Sequence, residues 1–255
     1  MPPNSLDPQV EPLPRGRRFT GRRKVRLGDV TPGGRLRLDA LTRYTQDVSD
    51  DDTGDAGLAA EPAWVVRRTV IDELAPAQLG EAMTITTFCS GLGRSWAERR
   101  LRVCGEQGGR YEVATLWICV DPGSGRPQQL TEQFLDLYGR AAGGRTVTAR
   151  LTNPKPPPSP AATPWPLRAV DFDTLGHVNN AAYWAVVEEV FADQPRSGPS
   201  RMTLEYSAGL SPGDSVAIAS DVVDGAQLLW WLADDGRVVA ASVSIRPLPD
   251  GVYGA

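Results

Sequence analysis

The spacing of apolar residues predicts one helix in each half of the chain. Apolar side chains recur every three or four positions over 38–48 and again over 180–191. Asp39 is the predicted N-cap of the first helix, and Asn179 or Asn180 that of the second, because short polar side chains accept hydrogen bonds from the free N–H groups of a helix start.

Each predicted helix is followed by several β-type runs that turn residues separate. The runs of the first half are AWVVRRTVIDEL, AMTITTFCSGL, WAERRLRVCG and YEVATLWICVD, and those of the second are RMTLEYSA, SVAIASDVV, AQLLWWLAD and VVAASVSIRPL. Trp230 and Trp231 are neighbours in one run, so their side chains are expected on opposite faces of a sheet. One helix followed by an antiparallel sheet, twice over, predicts an α+β fold in which each sheet curls around its helix.

The two halves can be aligned with each other. The aligned segments are 25–48 with 167–190, at a constant offset of 142, and 70–85 with 203–218, at a constant offset of 133. Gly34 falls on Gly176, and Arg35 falls on His177. The common order of these matches predicts a duplicated unit whose first copy has arginine where the second has histidine.

A Pro-rich segment divides the chain into unequal parts. Its core is NPKPPPSPAATPWP, and proline neither continues a helix nor donates to a central strand. We therefore predict a disordered basic and Pro-rich leader over 1–18, a first domain over 19–140, a semi-rigid linker over 141–166 and a second domain over 167–248.

The composition is that of a globular protein, with 41% hydrophobic and 23% charged residues. No apolar run approaches the roughly 20 residues of a membrane span, and the N-terminus lacks the apolar core of a signal peptide, so we expect a cytoplasmic protein. Cys89, Cys104 and Cys119 form no CxxC pair and are expected to be reduced, mostly buried thiols. With a single histidine, no metal site is predicted.

The net charge of −4 conceals a basic run before the first predicted strand. Its members are Arg15, Arg17, Arg18, Arg22, Arg23, Lys24 and Arg26. Two interpretations remain open, a solvated arm and a docking surface for a polyanion. Nucleic acid is not a predicted partner, because the sequence shows no RNA-binding motif, zinc finger or recognition helix.

The stretch DFDTLGHVNNAAYW, residues 171–184, contains His177, the only histidine of the chain. A lone histidine often serves as a hydrogen-bonded structural residue. Here an acid four residues earlier and an Asn-Asn pair at a predicted helix start favour a functional site over that interpretation.

With His-Val-Asn-Asn opening its second helix, the chain resembles the acyl-ACP thioesterase family over about residues 19–248. The family's second domain carries the signature Asp-x-Asn-x-His-Val-Asn-Asn-x-x-Tyr, which is matched here by Asp173, His177, Val178, Asn179, Asn180 and Tyr183. The segments TLEY at 203–206 and GDSV at 213–216 match the following strand and turn. The resemblance implies tandem hotdog domains, each an antiparallel sheet wrapped around a central helix, and hydrolysis of acyl-ACP or acyl-CoA without a cofactor.

The chain departs from that pattern at three positions. Leu175 replaces the asparagine of the signature, and Gly209 and Leu210 stand where plant members of the family have Glu-Cys. Polar groups with catalytic roles in the family are therefore absent. A catalytically impaired acyl-thioester-binding protein is accordingly the alternative to a hydrolase.

The matched residues suit thioester hydrolysis. His177 can act as the general base near neutral pH, and Asp173 can fix its tautomer through a hydrogen bond. The start of the second helix offers unpaired N–H groups and a positive dipole end for the carbonyl oxygen. Asn179 and Asn180 can cap the helix, hold the loop or polarise the substrate, and the sequence does not separate these roles.

A supporting carboxylate is expected from one of the two helices. Glu189 matches a helix acid of the family's second domain, and Asp47 is its equivalent at the offset of 142. We hypothesise that Asp47 or nearby Asp51 reaches His177 across the domain interface, the alternative being that both belong to a solvated Asp-rich turn. Glu205 is expected to be a strand acid that faces solvent rather than a site residue.

The remaining expectations concern the ligand and assembly. Trp64, Trp96 and Trp117 are core or interface residues, or line an acyl pocket in the first domain. Acyl carrier protein is acidic, so the basic run can steer its approach. Because a duplicated chain can pair its own two domains, both a monomeric pseudo-dimer and a homodimer remain open.

Overall fold

The computed structural model describes residues 10–11, 13–58, 63–194, 198–249 and 252–253. Ten strands and three α-helices lie within those ranges. In chain order they are β1 (Phe19–Lys24), α1 (Leu38–Asp55), β2 (Ala63–Ala75), β3 (Ala82–Leu92), β4 (Trp96–Gly105), β5 (Arg110–Val120), α2 (Glu132–Ala142), β6 (Ala162–Trp165), α3 (Asn180–Val190), β7 (Ser200–Tyr206), β8 (Val216–Val223), β9 (Ala226–Ala233) and β10 (Val238–Pro247), with short 3-10 turns at Leu27–Asp29 and Ala169–Asp171.

The strands form one sheet in the order β1-β3-β4-β5-β2-β7-β10-β9-β8-β6. The first domain supplies the first five strands, and the two halves join where β2 pairs antiparallel with β7. Val70 and Thr203 face each other in this pairing and are also equivalent residues of the predicted repeat. A pseudo-two-fold axis therefore passes between them, and the Arg201–Asp72 ion pair at 2.7 Å lies beside it.

The loops before α1 and α3 repeat the same hydrogen bonds. The Arg37 N–H donates to the Asp29 carbonyl at 2.9 Å, and the equivalent Asn179 N–H of the second half donates to the Asp171 carbonyl at 2.8 Å. Each bond ties the start of a central helix to the 3-10 turn before it. The duplication predicted from the sequence is therefore present in the backbone.

Both central helices are buried against the inner face of the sheet. One continuous core includes Leu41 and Val48 of α1 and Trp184 of α3. Trp231 belongs to that core, whereas Trp230 packs on the outer face and donates its indole N–H to the Pro154 carbonyl at 2.8 Å. The predicted alternation of the two tryptophans is confirmed.

The first helix is longer than predicted. The spacing of apolar residues predicts an end near residue 48, and the acidic residues that follow oppose the helix dipole when they lie at a helix C-terminus. In the structure α1 continues to Asp55 because arginines from other elements neutralise these acids. Arg17 binds Asp52 at 2.8 Å and Asp55 at 2.6 Å, and Arg99 also binds Asp52, which is almost completely buried.

One predicted cap is wrong and one is confirmed. The N-cap of α1 is Arg37, whose side chain makes no capping bond. Asp39 lies in the first turn instead, where it accepts hydrogen bonds from Arg37 at 2.9 Å and Arg43 at 2.8 Å. Asn179 caps α3, since its side-chain oxygen accepts from the Ala181 N–H at 2.9 Å.

Helix α2 and strand β6 were not predicted, and both lie in or beside the predicted linker. β6 is an edge strand, so Pro164 removes no ladder bond from the interior of the sheet. The chain between them is fixed to the outer face: Glu205 accepts from the Thr152 N–H at 2.7 Å and the Asn153 N–H at 2.9 Å. Glu205 is therefore buried under the linker, and the expectation that it faces solvent is wrong.

Part of the predicted leader also contacts the first domain. Residues 1–9 and 12 lie outside the described residues. Arg17 reaches the C-terminal end of α1, as described above, and Glu11 pairs with Arg102 at 2.7 Å. These contacts attach the described part of the leader to the first domain.

The cysteines are free thiols, with Cys89 and Cys119 buried and Cys104 exposed. Over the described ranges, no group of three or more His, Cys, Asp or Glu side chains is arranged to hold a metal ion. None of the helices in the same ranges has the length and apolar character needed to cross a membrane.

Candidate functional site

His177 lies at the end of a tight turn over residues 173–177, which we call the histidine turn. The Asp173 N–H donates to the His177 carbonyl, and the Gly176 N–H donates to the Asp173 carbonyl, both at 3.0 Å. Gly176 has a φ of +75°, which glycine adopts without the steric cost that a side chain brings. The turn holds the imidazole at the protein surface, where it is exposed.

Asp173 shapes this turn from within. Its carboxylate accepts a hydrogen bond from the Leu175 N–H at 2.9 Å, as aspartates commonly do in turns. Among the described residues, no hydrogen bond or ion pair joins it to the imidazole. The orientation of the ring by Asp173 therefore stays a prediction. Leu175, which replaces the signature asparagine, projects into solvent at the tip of the turn and is 68% exposed.

The imidazole rests on Gly209. The Val178 N–H donates to the Leu210 carbonyl at 2.9 Å and so ties the histidine turn to the loop after β7. A Cβ atom placed on Gly209 would lie 2.9 Å from Cδ2 and 3.5 Å from Cγ of the His177 ring. A glutamate at this position would therefore displace the ring, and the departure at Gly209 is structurally coupled to the position of His177.

One backbone donor at the start of α3 is free. The Asn179 N–H is bonded to Asp171, the Val178 N–H to the neighbouring loop, and the Ala181 N–H to the Asn179 side chain. The Asn180 N–H has no hydrogen-bond partner among the described residues. Of the N–H donors predicted at the start of the second helix, that of Asn180 is thus the one available to a ligand at the positive end of the helix dipole.

A cavity of about 420 Å³ lies between the C-terminal half of α1, α2 and the sheet of the first domain, and we call it the α1–α2 cavity. Its apolar lining consists of Leu58, Trp64, Cys89, Ala97, Trp117, Phe134 and Tyr138. Its volume is within the range of about 300–1,000 Å³ that is usual for small-ligand sites. Trp64 and Trp117 thus line a pocket, whereas Trp96 is not part of its lining and donates its indole N–H to the Val147 carbonyl at 2.9 Å.

A small void at the domain interface adjoins this cavity. Gln46, Ser49 and Trp117 line both spaces, and Asn180 of the second domain lines the smaller one. The small void has a volume of about 10 Å³, close to the minimum of roughly 10–15 Å³ that one water molecule requires. The α1–α2 cavity, whose lining also includes the charged residues Asp50, Glu98 and Arg99, therefore adjoins a space at the N-terminus of α3. We call this small space the junction void.

The predicted supporting carboxylates lie elsewhere. Asp47 and Asp51 pair with Arg23 of β1 at 3.5 and 2.8 Å, on a face of α1 that does not line the α1–α2 cavity or the junction void. Glu189 is exposed and borders an open cleft of about 1,440 Å³, which Val178 and Leu210 also line. None of the three is brought to the histidine turn by the contacts of the described residues.

Sequence analysis did not identify Gln46 as a residue of the domain interface, although the alignment of the two halves could have indicated it. The interpretation above matched Glu189 with Asp47. In the structure the acidic side chain of α3 that binds the first domain is Glu188, which pairs with Arg35 at 2.5 Å. The equivalent of Glu188 at the offset of 142 is Gln46, one residue before Asp47.

The basic run separates into two groups. Arg17 and Arg23 are held in ion pairs with α1. The other members are exposed and make no ion pair within the described part of the chain, namely Arg15, Arg18, Arg22, Lys24 and Arg26. Arg22 and Lys24 alternate with inward-facing residues of β1, so they project from the outer face of an edge strand.

The thiol that lines the α1–α2 cavity is unreactive. Burial raises the pKa of Cys89 to about 12, so the thiol stays protonated near neutral pH. Cys89 consequently serves as an apolar part of the lining. A nucleophilic role for it is disfavoured on this ground.

Comparison with known proteins agrees with this architecture. Residues 16–138 match the acyl-ACP thioesterase N-terminal domain model, and residues 155–237 match the acyl-ACP thioesterase C-terminal domain model. An uncharacterized protein of Mycobacterium tuberculosis is 33% identical over 215 residues, which cover 83% of this chain and 86% of the relative.

Two solved structures share the fold across both domains. The 12:0-ACP thioesterase of Umbellularia californica superposes with a TM-score of 0.74 at 17% identity, covering 90% of this chain and 96% of that one. A Lactobacillus plantarum protein provisionally described as an oleoyl thioesterase gives a TM-score of 0.76 at 19% identity, covering 93% and 99%. The predicted tandem hotdog fold is confirmed, and because the two domain models together match most of its length, the chain belongs to the acyl-ACP thioesterase family of thioester hydrolases.

Proposed function

We propose that the protein hydrolyses medium- or long-chain acyl-ACP to a free fatty acid and the carrier thiol. The observation that carries this proposal is the position of the α1–α2 cavity. It shares Gln46, Ser49 and Trp117 with the junction void, and Asn180 of the second domain, at the start of the helix that His177 precedes by three positions, lines that void. An acyl chain in the α1–α2 cavity would bring its thioester group to this helix start.

The residues divide the reaction between them. The thioester carbonyl oxygen accepts a hydrogen bond from the Asn180 N–H, and a donor of this kind can lower the barrier by about 3 kcal/mol because negative charge develops on that oxygen. His177 removes a proton from water as the water attacks the carbonyl carbon, which typically contributes about 10²- to 10⁴-fold. The tetrahedral intermediate then breaks its C–S bond, and the imidazolium returns the proton to the departing thiolate.

The neighbouring polar residues have supporting roles. Asn179 caps α3 and so keeps the Asn180 N–H directed at the substrate. Asp173 shapes the histidine turn by accepting the Leu175 N–H, and in this proposal its carboxylate also stabilises the imidazolium that forms four residues along the chain. The Asn180 side chain is half-buried at the domain interface and lines the junction void.

The carrier is an acidic protein in this proposal. Arg18, Arg22 and Lys24 project from β1 or the chain just before it and form no ion pair with acids of the described residues, so they leave a basic surface for a negatively charged partner. Attraction of this type acts mainly on the association rate and weakens with salt. Replacing the three residues by glutamine should raise KM for acyl-ACP and abolish its salt dependence, with kcat unchanged. An equal loss with acyl-CoA would instead indicate recognition of the phosphopantetheine phosphate.

The direct test is thiol release from acyl-ACP and acyl-CoA substrates of increasing chain length. The parent protein should release thiol, and His177→Ala should lower kcat by at least about 100-fold while still binding a non-hydrolysable acyl analogue. Hydrolysis that survives in His177→Ala would refute the assigned base.

A non-catalytic acyl-thioester binder is the second candidate. The exposed Leu175 and the missing side chain at Gly209 favour it, because both positions lack the polar groups of the family's signature. Saturable binding of the acyl analogue by the parent protein, without thiol release from any substrate of the series, would establish this alternative.

A further inference from the structure

The first backbone N–H of the central helix is hydrogen-bonded to the other domain in one half of the molecule but not in the other. At the start of α1, the Leu38 N–H donates to Glu188 Oε1 of α3 at 2.8 Å, and the same carboxylate binds the Arg35 guanidinium at 2.5 and 3.1 Å. A side chain from the central helix of one domain therefore closes the helix start of the other domain.

The equivalent contact is open in the half that contains His177. At the offset of 142, Gln46 corresponds to Glu188, Asn180 to Leu38 and His177 to Arg35. The Gln46 amide and the Asn180 N–H make no hydrogen bond within the described part of the chain, and both residues line the junction void of about 10 Å³. In this half, the direct bond between the two central helices is therefore missing.

Three of the hydroxyl groups that border the void are already engaged. The Thr42, Thr45 and Ser49 hydroxyls, which border the same void, donate to carbonyls of their own helix at 2.8, 2.8 and 2.7 Å. The Gln46 amide, by contrast, uses neither its donors nor its acceptor on any described residue. Gln46 also lines the α1–α2 cavity, so it lies where the proposed acyl chain meets the second domain.

We propose that Gln46 is a catalytic residue supplied by the first domain, and that its side-chain amide is the second donor to the thioester carbonyl oxygen beside the Asn180 N–H. The inference rests on the proposed hydrolase function and names a further group at the same site. A neutral amide suits this role because it donates N–H to a developing oxyanion, whereas a carboxylate such as Glu188 would repel it. The half with the proposed reaction site thus has glutamine at this position of the repeat, and the half whose helix start is already bonded has glutamate.

The kinetic test uses Gln46→Ala and Gln46→Glu with acyl-ACP. Loss of one oxyanion donor should lower kcat by about 10²- to 10³-fold with little change in KM, and the glutamate should be no better than the alanine. Asp47→Asn is the matched control, because it lies on the next position of α1 but pairs with Arg23, and it should keep the parental kcat. A Gln46→Ala variant with kcat within threefold of the parent overturns the proposal.

A second readout needs no activity. His177 is the only histidine of the chain, so its imidazole NMR signals are assigned without ambiguity. Because the equivalent residues Glu188 and Arg35 form an ion pair, we expect the new carboxylate of Gln46→Glu to approach the ring. The midpoint of the histidine titration should then move to higher pH by about one unit, while Asp47→Asn should leave it unchanged. An unmoved midpoint in Gln46→Glu would show that residue 46 does not face His177.

The two measurements separate the two proposals. If the parent protein releases no thiol, the hydrolase function fails, and a shifted titration still places Gln46 at the His177 site. If the parent is active and both Gln46 variants remain active, the hydrolase function stands, and the inference about Gln46 is wrong.

Discussion

The contact between Gly209 and the imidazole leads to a sharp prediction for Gly209→Ala. The new methyl group would begin 2.9 Å from Cδ2 of His177. Carbon atoms in favourable contact are about 3.5–4.0 Å apart, so the ring must retreat by roughly 0.6–1 Å. Both residues are exposed, and the ring can therefore move into solvent without disturbing the core.

The size of the effect on activity follows from that displacement. A misplacement of about 1 Å in a reacting group can cost about 10²-fold in rate. We expect kcat for thiol release to fall by about 10- to 100-fold in Gly209→Ala. The free energy of unfolding should change by no more than about 0.5 kcal/mol, as is usual for surface substitutions.

The assay compares kcat with urea unfolding for Gly209→Ala and for Ala208→Ser, which adds one heavy atom at the adjacent exposed position. The control should match the parent in both measurements. A parental kcat in Gly209→Ala would show that the ring position does not govern the reaction. A large loss of stability would show instead that Gly209 supports the fold.

Three further predictions concern stability and thiol chemistry. Asp52→Asn should lower the free energy of unfolding by about 3 kcal/mol in urea, because Arg99, whose side chain is 13% exposed, loses the carboxylate of the buried Asp52, and a change below about 1 kcal/mol would contradict this. Asn179→Ala should cost about 1 kcal/mol through loss of the α3 cap, and unaltered stability would show that the cap is dispensable. Cys104 should react with a thiol reagent in the native protein at pH 8, whereas Cys89 should react only after unfolding, because burial raises its pKa to about 12 and little thiolate exists below that pH; native labelling of both would contradict this.

Local sequence signals specified the repeat units well. The period of the apolar residues located both central helices, and the two constant offsets between the halves identified the paired loops and strands. These features depend on contacts between nearby residues, so a local pattern encodes them. The Asn179 cap is an example, because its acceptor and the Ala181 donor are close neighbours in the chain.

Errors occurred where distant residues decide the outcome. The end of α1 depends on Arg17 and Arg99, which lie far from Asp52 in sequence. The burial of Glu205 depends on linker residues such as Thr152, which belong to a different part of the chain. A short stretch of sequence around Asp52 or Glu205 contains none of these distant partners. The local sequence therefore predicts solvent exposure for acids that the fold buries.

The sequence alone identifies the candidate residues of the histidine turn and of the start of α3. The tertiary structure decides which residue of the first domain lies beside them. His177, its turn and the capped start of α3 all lie in one short segment, so their association needs no long-range contact. The pairing of β2 with β7 sets α1 beside α3 and brings Gln46 to the junction void that Asn180 lines. Successive side chains on a helix point about 100° apart, so Gln46 of α1 faces the junction void whereas Asp47 faces the surface. Only the packing of the helices shows which of the two residues faces inward.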